Sequence, residues 1–279
     1  MYSIMSQKTG IGIVNYYKQL PKKYVPKHRQ KHPLAPLHPF QMIIAGPTGA
    51  GKTNIVMHLI NRLVDFDKLY IYAKNLDEPL YKELTDRFRK LEKELIDDAK
   101  KEAFAKGHSL EHIADKYKIL TTANSMADIP DPTDFDKNFQ HFVIIDDMIT
   151  DSKKAHNPVE QLYTYGRKNN VSIVYLSQNY ADIPDNIRKN ANYIAFIKID
   201  NKREQTEMHK THASRVDKDQ FMQIVRSVNQ ANSDHYQKTG EQGMHFMLID
   251  KKTQYLPLHL RMDFDHIHES LVSPPPDKK

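Results

Sequence analysis

Short apolar runs alternate along the chain with stretches whose apolar residues recur every three or four positions. The runs Phe40–Ala45, Lys68–Ala73 (KLYIYA), Lys118–Thr121, Phe142–Asp147 (FVIIDD), Val171–Ser177 (VSIVYLS) and Tyr193–Ile199 have the length and make-up of strands. Their continuous apolar character, rather than strict alternation, suits strands buried on both faces of a parallel sheet. Between them, Ile55, Val56, Leu59, Ile60 and Leu63 mark one helix face, and Leu80, Leu84, Phe88, Leu91 and Leu95 mark another within the charged stretch 78–118. Gly107 followed by Ser109 reads as a break and a new N-cap, and Asn157-Pro158-Val159-Glu160 as a helix start that runs to about Gly166-Arg167-Lys168. Further helical patterns cover 203–214 and 217–230, the second with Asp217 as its cap. Met244–Asp250 and Gln254–Arg261, joined across Lys251-Lys252-Thr253, predict a β-hairpin. The expected fold is therefore α/β, a mainly parallel sheet flanked by helices and closed by a C-terminal hairpin.

The first strand runs into a loop that reads G-x-x-x-x-G-K-T: Gly46, Pro47, Thr48, Gly49, Ala50, Gly51, Lys52 and Thr53, with Asn54 opening the helix. Strand, glycine loop and helix in this order form the setting of a P-loop. The glycines allow successive backbone N–H groups to turn inward around phosphate oxygens and deliver them to the positive end of the helix. In that geometry Lys52 reaches the β- and γ-phosphates of ATP, and the Thr53 hydroxyl ligates magnesium. The plainer reading, a chance glycine turn, does not explain why the flanking elements are the right ones.

The strand Phe142–Ile145 ends abruptly in Asp146 and Asp147. Ligands of such sheets bind beyond the carboxyl ends of the strands, so this pair should face the glycine loop. Asp146 is expected to hold magnesium and Asp147 to orient or deprotonate the attacking water. An ordinary turn is also rich in Asp, so the pair gains its meaning from the loop upstream. The next strand delivers Gln178 to the same end, where an amide can hydrogen-bond the γ-phosphate or the water. An acid pair after one strand and a glutamine after the next describe a P-loop NTPase of the RecA-like, additional-strand type.

Charge alters the picture at one end only. Seven of the 41 basic residues and none of the 35 acidic ones lie in 1–39, so the net +6 is set by that segment and the remainder is near neutral. Pro21, Pro26, Pro33, Pro36 and Pro39 disfavour regular helix there. The segment reads either as a basic arm touching nucleic-acid phosphates or an acidic partner, or as a solvated tail partly laid across the domain surface by Tyr16, Tyr17 and Tyr24. The domain scheme is then 1–39 arm, 40–262 ATPase domain with 78–118 as a helical connection, and 263–279 tail, in which SPPPDKK is expected to be disordered. The connection either covers one sheet face or acts as a lid, substrate grip or subunit contact. With no cysteine, disulfides and thiolate metal sites are excluded, which fits a reducing interior. Among the 15 histidines, His108 and His112 are four apart and His209 and His212 three apart, but neither pair has a nearby Cys or a Glu in an H-E-x-x-H frame, so no structural metal is expected, nor a membrane span or signal peptide.

The succession GPTGAGKT, FVIIDD, GRKNNVSIVYLSQ and IPDNIRKNA resembles the poxvirus-type DNA-packaging ATPases of the FtsK–HerA superfamily, found in large DNA viruses, virophages and related elements. The resemblance spans about residues 38–200. It implies ATP-driven translocation of double-stranded DNA into a preformed capsid by a ring-shaped homo-oligomer working with capsid or portal-type vertex proteins. The implied location is the host cytoplasm, a viral factory or the virion. It also implies an arginine finger on the neighbouring subunit's γ-phosphate, with Arg167 the first candidate and Arg188 the second; either is also an ordinary surface or phosphate-contacting arginine. No nuclease domain is recognisable. The alternatives are a P-loop nucleotide kinase with 78–118 as its lid, or a non-packaging translocase or helicase of the same superfamily.

Overall fold

The structure is a computed structural model that describes residues 29, 31–148 and 156–272. Most of the arm (1–28 and 30) and the terminal SPPPDKK lie outside the described residues. Its elements in chain order are β1 (Gln41–Ala45), α1 (Lys52–His58, continued as a π turn over Leu59–Leu63), β2 (Lys68–Ala73), α2 (Pro79–Ala105), α3 (Ile113–Tyr117), β3 (Leu120–Ala123) and β4 (His141–Asp146). There follow α4 (Asn157–Tyr165), β5 (Val171–Ser177), α5 (Asp185–Asn190), β6 (Tyr193–Phe196), α6 (Lys202–His212), α7 (Lys218–Thr239) and β7 (Met247–Asp250). The chain then forms α8 (Leu256–His259), β8 (Leu260–Met262), β9 (His266–Ile267) and α9 (Glu269–Val272).

The strands form one sheet in the order β3-β2-β4-β5-β1-β6-β7-β8-β9. From β3 to β6 every pairing is parallel, and β7, β8 and β9 add antiparallel. Strand β5 sits between β1 and β4, so an additional strand separates the glycine-loop strand from the carboxylate strand, as in RecA-like ATPases.

Side-chain alternation makes two cores. Met42 and Ile44 of β1, Phe142 and Ile144 of β4 and Val174 of β5 share one apolar layer with Val56, Leu59 and Ile60 of the first helix and with Tyr81 and Leu84 of α2. Ile43, Val143, Ile145, Ile173 and Tyr175 point the other way, against Val159 and Leu162 of α4, Ile187 of α5, Met208 of α6 and Phe221, Ile224 and Val228 of α7. Continuous apolar strands are what a sheet covered on both faces requires.

Several local expectations are corrected. Strand β3 starts at Leu120, not Lys118, because Lys118 terminates α3 and the Glu92 carboxylate accepts the Ile119 and Leu120 N–H groups at 2.5 and 2.6 Å. Ser109 does not open α3; His112, with φ 61°, precedes it. Asn157 lies inside the first turn of α4, with His156 ahead of it. Strand β6 stops at Phe196, and Lys198 then takes φ 56°. Helix α7 runs on to Thr239, where Gly240 closes it in the left-handed conformation.

The hairpin partner is not Gln254–Arg261 but the shorter Leu260–Met262, reached through α8. Pro257 sits in the first turn of α8 and cannot donate to a strand ladder, while Arg215 holds the Thr253 and Gln254 carbonyls away from β7. The arm boundary at residue 39 also falls within packed chain. Ala35 is buried, Lys252 donates to the Leu37 and Pro39 carbonyls, and Arg29 pairs with Asp65 and Asp67.

Candidate nucleotide-binding site

Register brings the site together. Ala45 is level with Ser177 across β1 and β5, Leu176 with Asp146 across β5 and β4, and Asp146 with Ala73 across β4 and β2. Four parallel strands thus end nearly flush, and the residues that follow them (Gly46, Gln178, Asp147 and Lys74) share one rim. A cleft of about 380 Å³ lies there, lined on one side by Thr48, Gly49, Gly51, Lys52, Thr53 and Asn54. Its other wall carries Asp146, Asp147 and Gln178, together with Lys74, Asn75 and Glu78.

The loop needs its glycines for different reasons. A side chain on Gly46 would meet the Ile197 Cβ and backbone oxygen at 3.0 Å, because β1 and β6 leave the sheet side by side. Gly49 and Gly51 have φ of 75° and 96°, where a Cβ is disfavoured. Gly51 also caps α1, so the free N–H groups of the first helical turn open toward the cleft. The Lys52 ammonium donates to the Gly46 and Pro47 carbonyls at 2.8 and 3.0 Å. Burial lowers its pKa, and Asp146, Asp147 and Glu78 oppose that shift. A partly desolvated cation above a cradle of helix N–H groups fits an anionic phosphate chain.

The two aspartates leave β4 in different directions. Asp146 is half-buried, and its Oδ2 accepts the Tyr81 hydroxyl at 2.7 Å. Burial raises its pKa; Tyr81 counters this, Glu78 adds to it and Lys52 lowers it. Asp147 takes φ 52°, a sparsely populated conformation for a residue other than glycine, and turns its carboxylate outward. There its Oδ2 accepts the Gln178 Nε2 at 3.1 Å. The Thr53 hydroxyl and the Asp146 carboxylate are hard oxygen donors facing one cleft, a set whose chemistry suits magnesium.

The two arginines lie elsewhere. Arg167 belongs to the 3-10 turn Gly166–Asn169 that leads into β5, so it is exposed at the amino-terminal rim, opposite the cleft. Arg188 of α5 pairs with Asp185 at 2.8 Å and Glu207 at 3.3 Å and lies over the Tyr180 ring. Neither lines the cleft of its own chain.

Sequence reasoning missed Glu78, which precedes α2, and Tyr81, in its first turn. The rule that placed Gln178 applies equally to the exit from β2 and would have pointed to residues 74–78. No spacing signal marks Tyr81, which reaches Asp146 only because α2 folds back over β4.

Residues 105–239 match the model of the poxvirus A32 protein family, and residues 16–148 match that of the type III restriction enzyme res subunit. The first match contains Asp146, Asp147, Arg167, Gln178 and Arg188; the second contains the glycine loop and the acid pair. Comparison with the curated proteins gives no match. Among solved structures, the DNA-packaging ATPase B204 of Sulfolobus turreted icosahedral virus is 12% identical, with a TM-score of 0.49 over 83% of this chain and 99% of that one. The genome packaging NTPase B204 of Sulfolobus turreted icosahedral virus 2, in complex with AMP, is 14% identical, with a TM-score of 0.45 over 81% and 98%. VirB4 of Thermoanaerobacter pseudethanolicus is 10% identical, with a TM-score of 0.43 over 84% and 91%. Across residues 105–239 the chain is similar to the poxvirus A32 protein family.

Proposed function

We propose that the protein is an ATP-hydrolysing motor that moves double-stranded DNA and packages a viral genome into a preformed capsid. The observation that carries this reading is the meeting of Lys52, Thr53, Asp146, Asp147 and Gln178 around one cleft in a chain matched by the poxvirus A32 model. In this account the glycine loop and Lys52 hold the triphosphate. Thr53 and Asp146 would hold magnesium, which would supply positive charge against the phosphates. Asp147, whose carboxylate Gln178 holds by a hydrogen bond, aligns the attacking water and accepts its proton. Gln178 stands where it can exchange Asp147 for the γ-phosphate, so its contacts depend on whether ATP or ADP is bound.

Arg167, remote from its own cleft and exposed, would serve a neighbouring subunit of a homo-oligomeric ring; its distance from its own cleft supports this reading. Arg188 would first have to release two carboxylates. Capsid or portal-type vertex proteins are the partners this role requires. Among the described residues no helix is long and apolar enough to cross a membrane.

Phosphate release measured with and without duplex DNA, and with nucleoside monophosphates, tests the reading. A motor hydrolyses ATP faster on duplex DNA. Transfer of phosphate to a monophosphate with no response to DNA would identify a nucleotide kinase instead.

A further inference from the structure

We propose that Tyr81 is a positioning residue for the metal-binding carboxylate, holding Asp146 through its hydroxyl and tying the first turn of α2 to the nucleotide cleft. The inference rests on the reading of Asp146 as a magnesium ligand. Tyr81 has no exposed surface, yet its hydroxyl ends 2.7 Å from Asp146 Oδ2. A phenol driven through an apolar core to a single carboxylate oxygen is a specific use of a polar atom, since a phenylalanine would fill the same space without it.

The chain path explains how the contact arises. Ala73, the last residue of β2, is level with Asp146 on β4. The chain leaves the sheet there, passes Glu78 at the cleft wall and starts α2 with Pro79, whose missing N–H costs nothing at a first helical position. The third residue of the helix, Tyr81, thereby returns over the strand end that the chain has just passed. Ala73 and Tyr81 belong to the same apolar layer.

The chemistry gives the contact a purpose. Asp146 bears its charge on a cleft wall shared with two further carboxylates, Glu78 and Asp147. A hydroxyl donated to one oxygen stabilises that charge and fixes the plane of the carboxylate, which leaves the second oxygen for the ion.

Farther along α2, Glu92 holds the first N–H groups of edge strand β3, whereas Leu95 and Phe104 are exposed. The helix is thus pinned to the cleft at one end and free of the sheet at the other. A change in how Asp146 is held moves the pinned end first.

Tyr81→Phe keeps the ring in its pocket and removes only the hydroxyl. Affinity for a fluorescent ATP analogue is measured in EDTA and across a magnesium titration, and phosphate release is followed over the same range. The variant should bind nucleotide like the unsubstituted protein without metal. It should need about 10–100-fold more magnesium for half-maximal binding and turnover, with kcat recovering at saturating metal. Magnesium curves that superimpose on those of the unsubstituted protein, or a loss of kcat that no amount of magnesium restores, would overturn the proposal. Unsubstituted protein that ignores magnesium would overturn the assignment of Asp146 itself, a result visible before the variant is made.

Discussion

At the scale of single residues, the cleft divides its work by how each side chain is held. Lys52 is half-buried and donates to two carbonyls of its own loop. Those contacts are easily exchanged for phosphate oxygens, which carry full charge. Lys52→Ala should therefore abolish measurable nucleotide binding or cut hydrolysis by about 10²–10³-fold, read by analogue titration and phosphate release. Asp147 differs in being exposed and in having a left-handed backbone. Asp147→Asn keeps the size, and asparagine tolerates that conformation as well as aspartate does. It should leave ATP bound while lowering turnover by about 10²–10⁴-fold; unchanged turnover would remove Asp147 from the chemistry. The loop and the acid pair were legible in the sequence because short-range spacing encodes them. Glu78 and Tyr81 were not, since their contribution depends on a helix folding back across a neighbouring strand.

At the scale of elements, what matters is how the turn after β5 is fixed. Two residues beyond Gln178, Tyr180 is buried, and its hydroxyl meets His212 Nε2 at the end of α6. Its ring also packs against Phe196 and under Arg188. Burial pushes the His212 pKa down to about 3, with Lys251 and Arg188 adding to the shift. In the unfolded chain the same imidazole titrates near 6.5, so below that pH the unfolded state takes up a proton that the folded state refuses. This contribution to stability is complete above pH 6.5 and is lost as pH falls toward 3.

Denaturant unfolding between pH 7 and 4 should accordingly show a steeper acid loss for the unsubstituted protein than for His212→Gln. The variant should be less stable at pH 7 by about 1–3 kcal/mol for the disturbed buried hydrogen bond. Parallel pH profiles would show that His212 is not responsible. The strands were readable from their apolar runs, as was the additional strand between β1 and β4. The C-terminal hairpin was misjudged because Leu256, Leu258 and Leu260 continue the strand-like alternation through a segment that Pro257 and Arg215 bend into α8. Proline-rich 31–39 belongs to the segment read either as an arm or as a tail partly laid across the domain; long-range contacts with Lys252 and Arg261 hold it against the sheet.

At the scale of the whole molecule, the cleft opens at the carboxyl rim of the sheet while Arg167 stands at the other. One copy therefore cannot complete its own site with that arginine, and the proposed ring would have to supply it from a neighbour. Arg167→Ala subunits should be inactive alone and regain hydrolysis when mixed with Asp147→Asn subunits, because each type supplies what the other lacks. Mixtures that stay inactive would turn attention to Arg188 or to a finger in cis. The near-neutral charge of residues 40–279 gives no basic stripe from which a DNA channel can be read in sequence.

In the proposed motor, ATP turnover in this cleft is converted into movement along duplex DNA, and displacement of a fluorescent third strand from a DNA triplex reads that movement directly. The isolated oligomer should strip the third strand when ATP and magnesium are present, and Lys52→Ala and Asp147→Asn oligomers should not. ATP hydrolysed at the same rate with the third strand left in place would contradict that conversion.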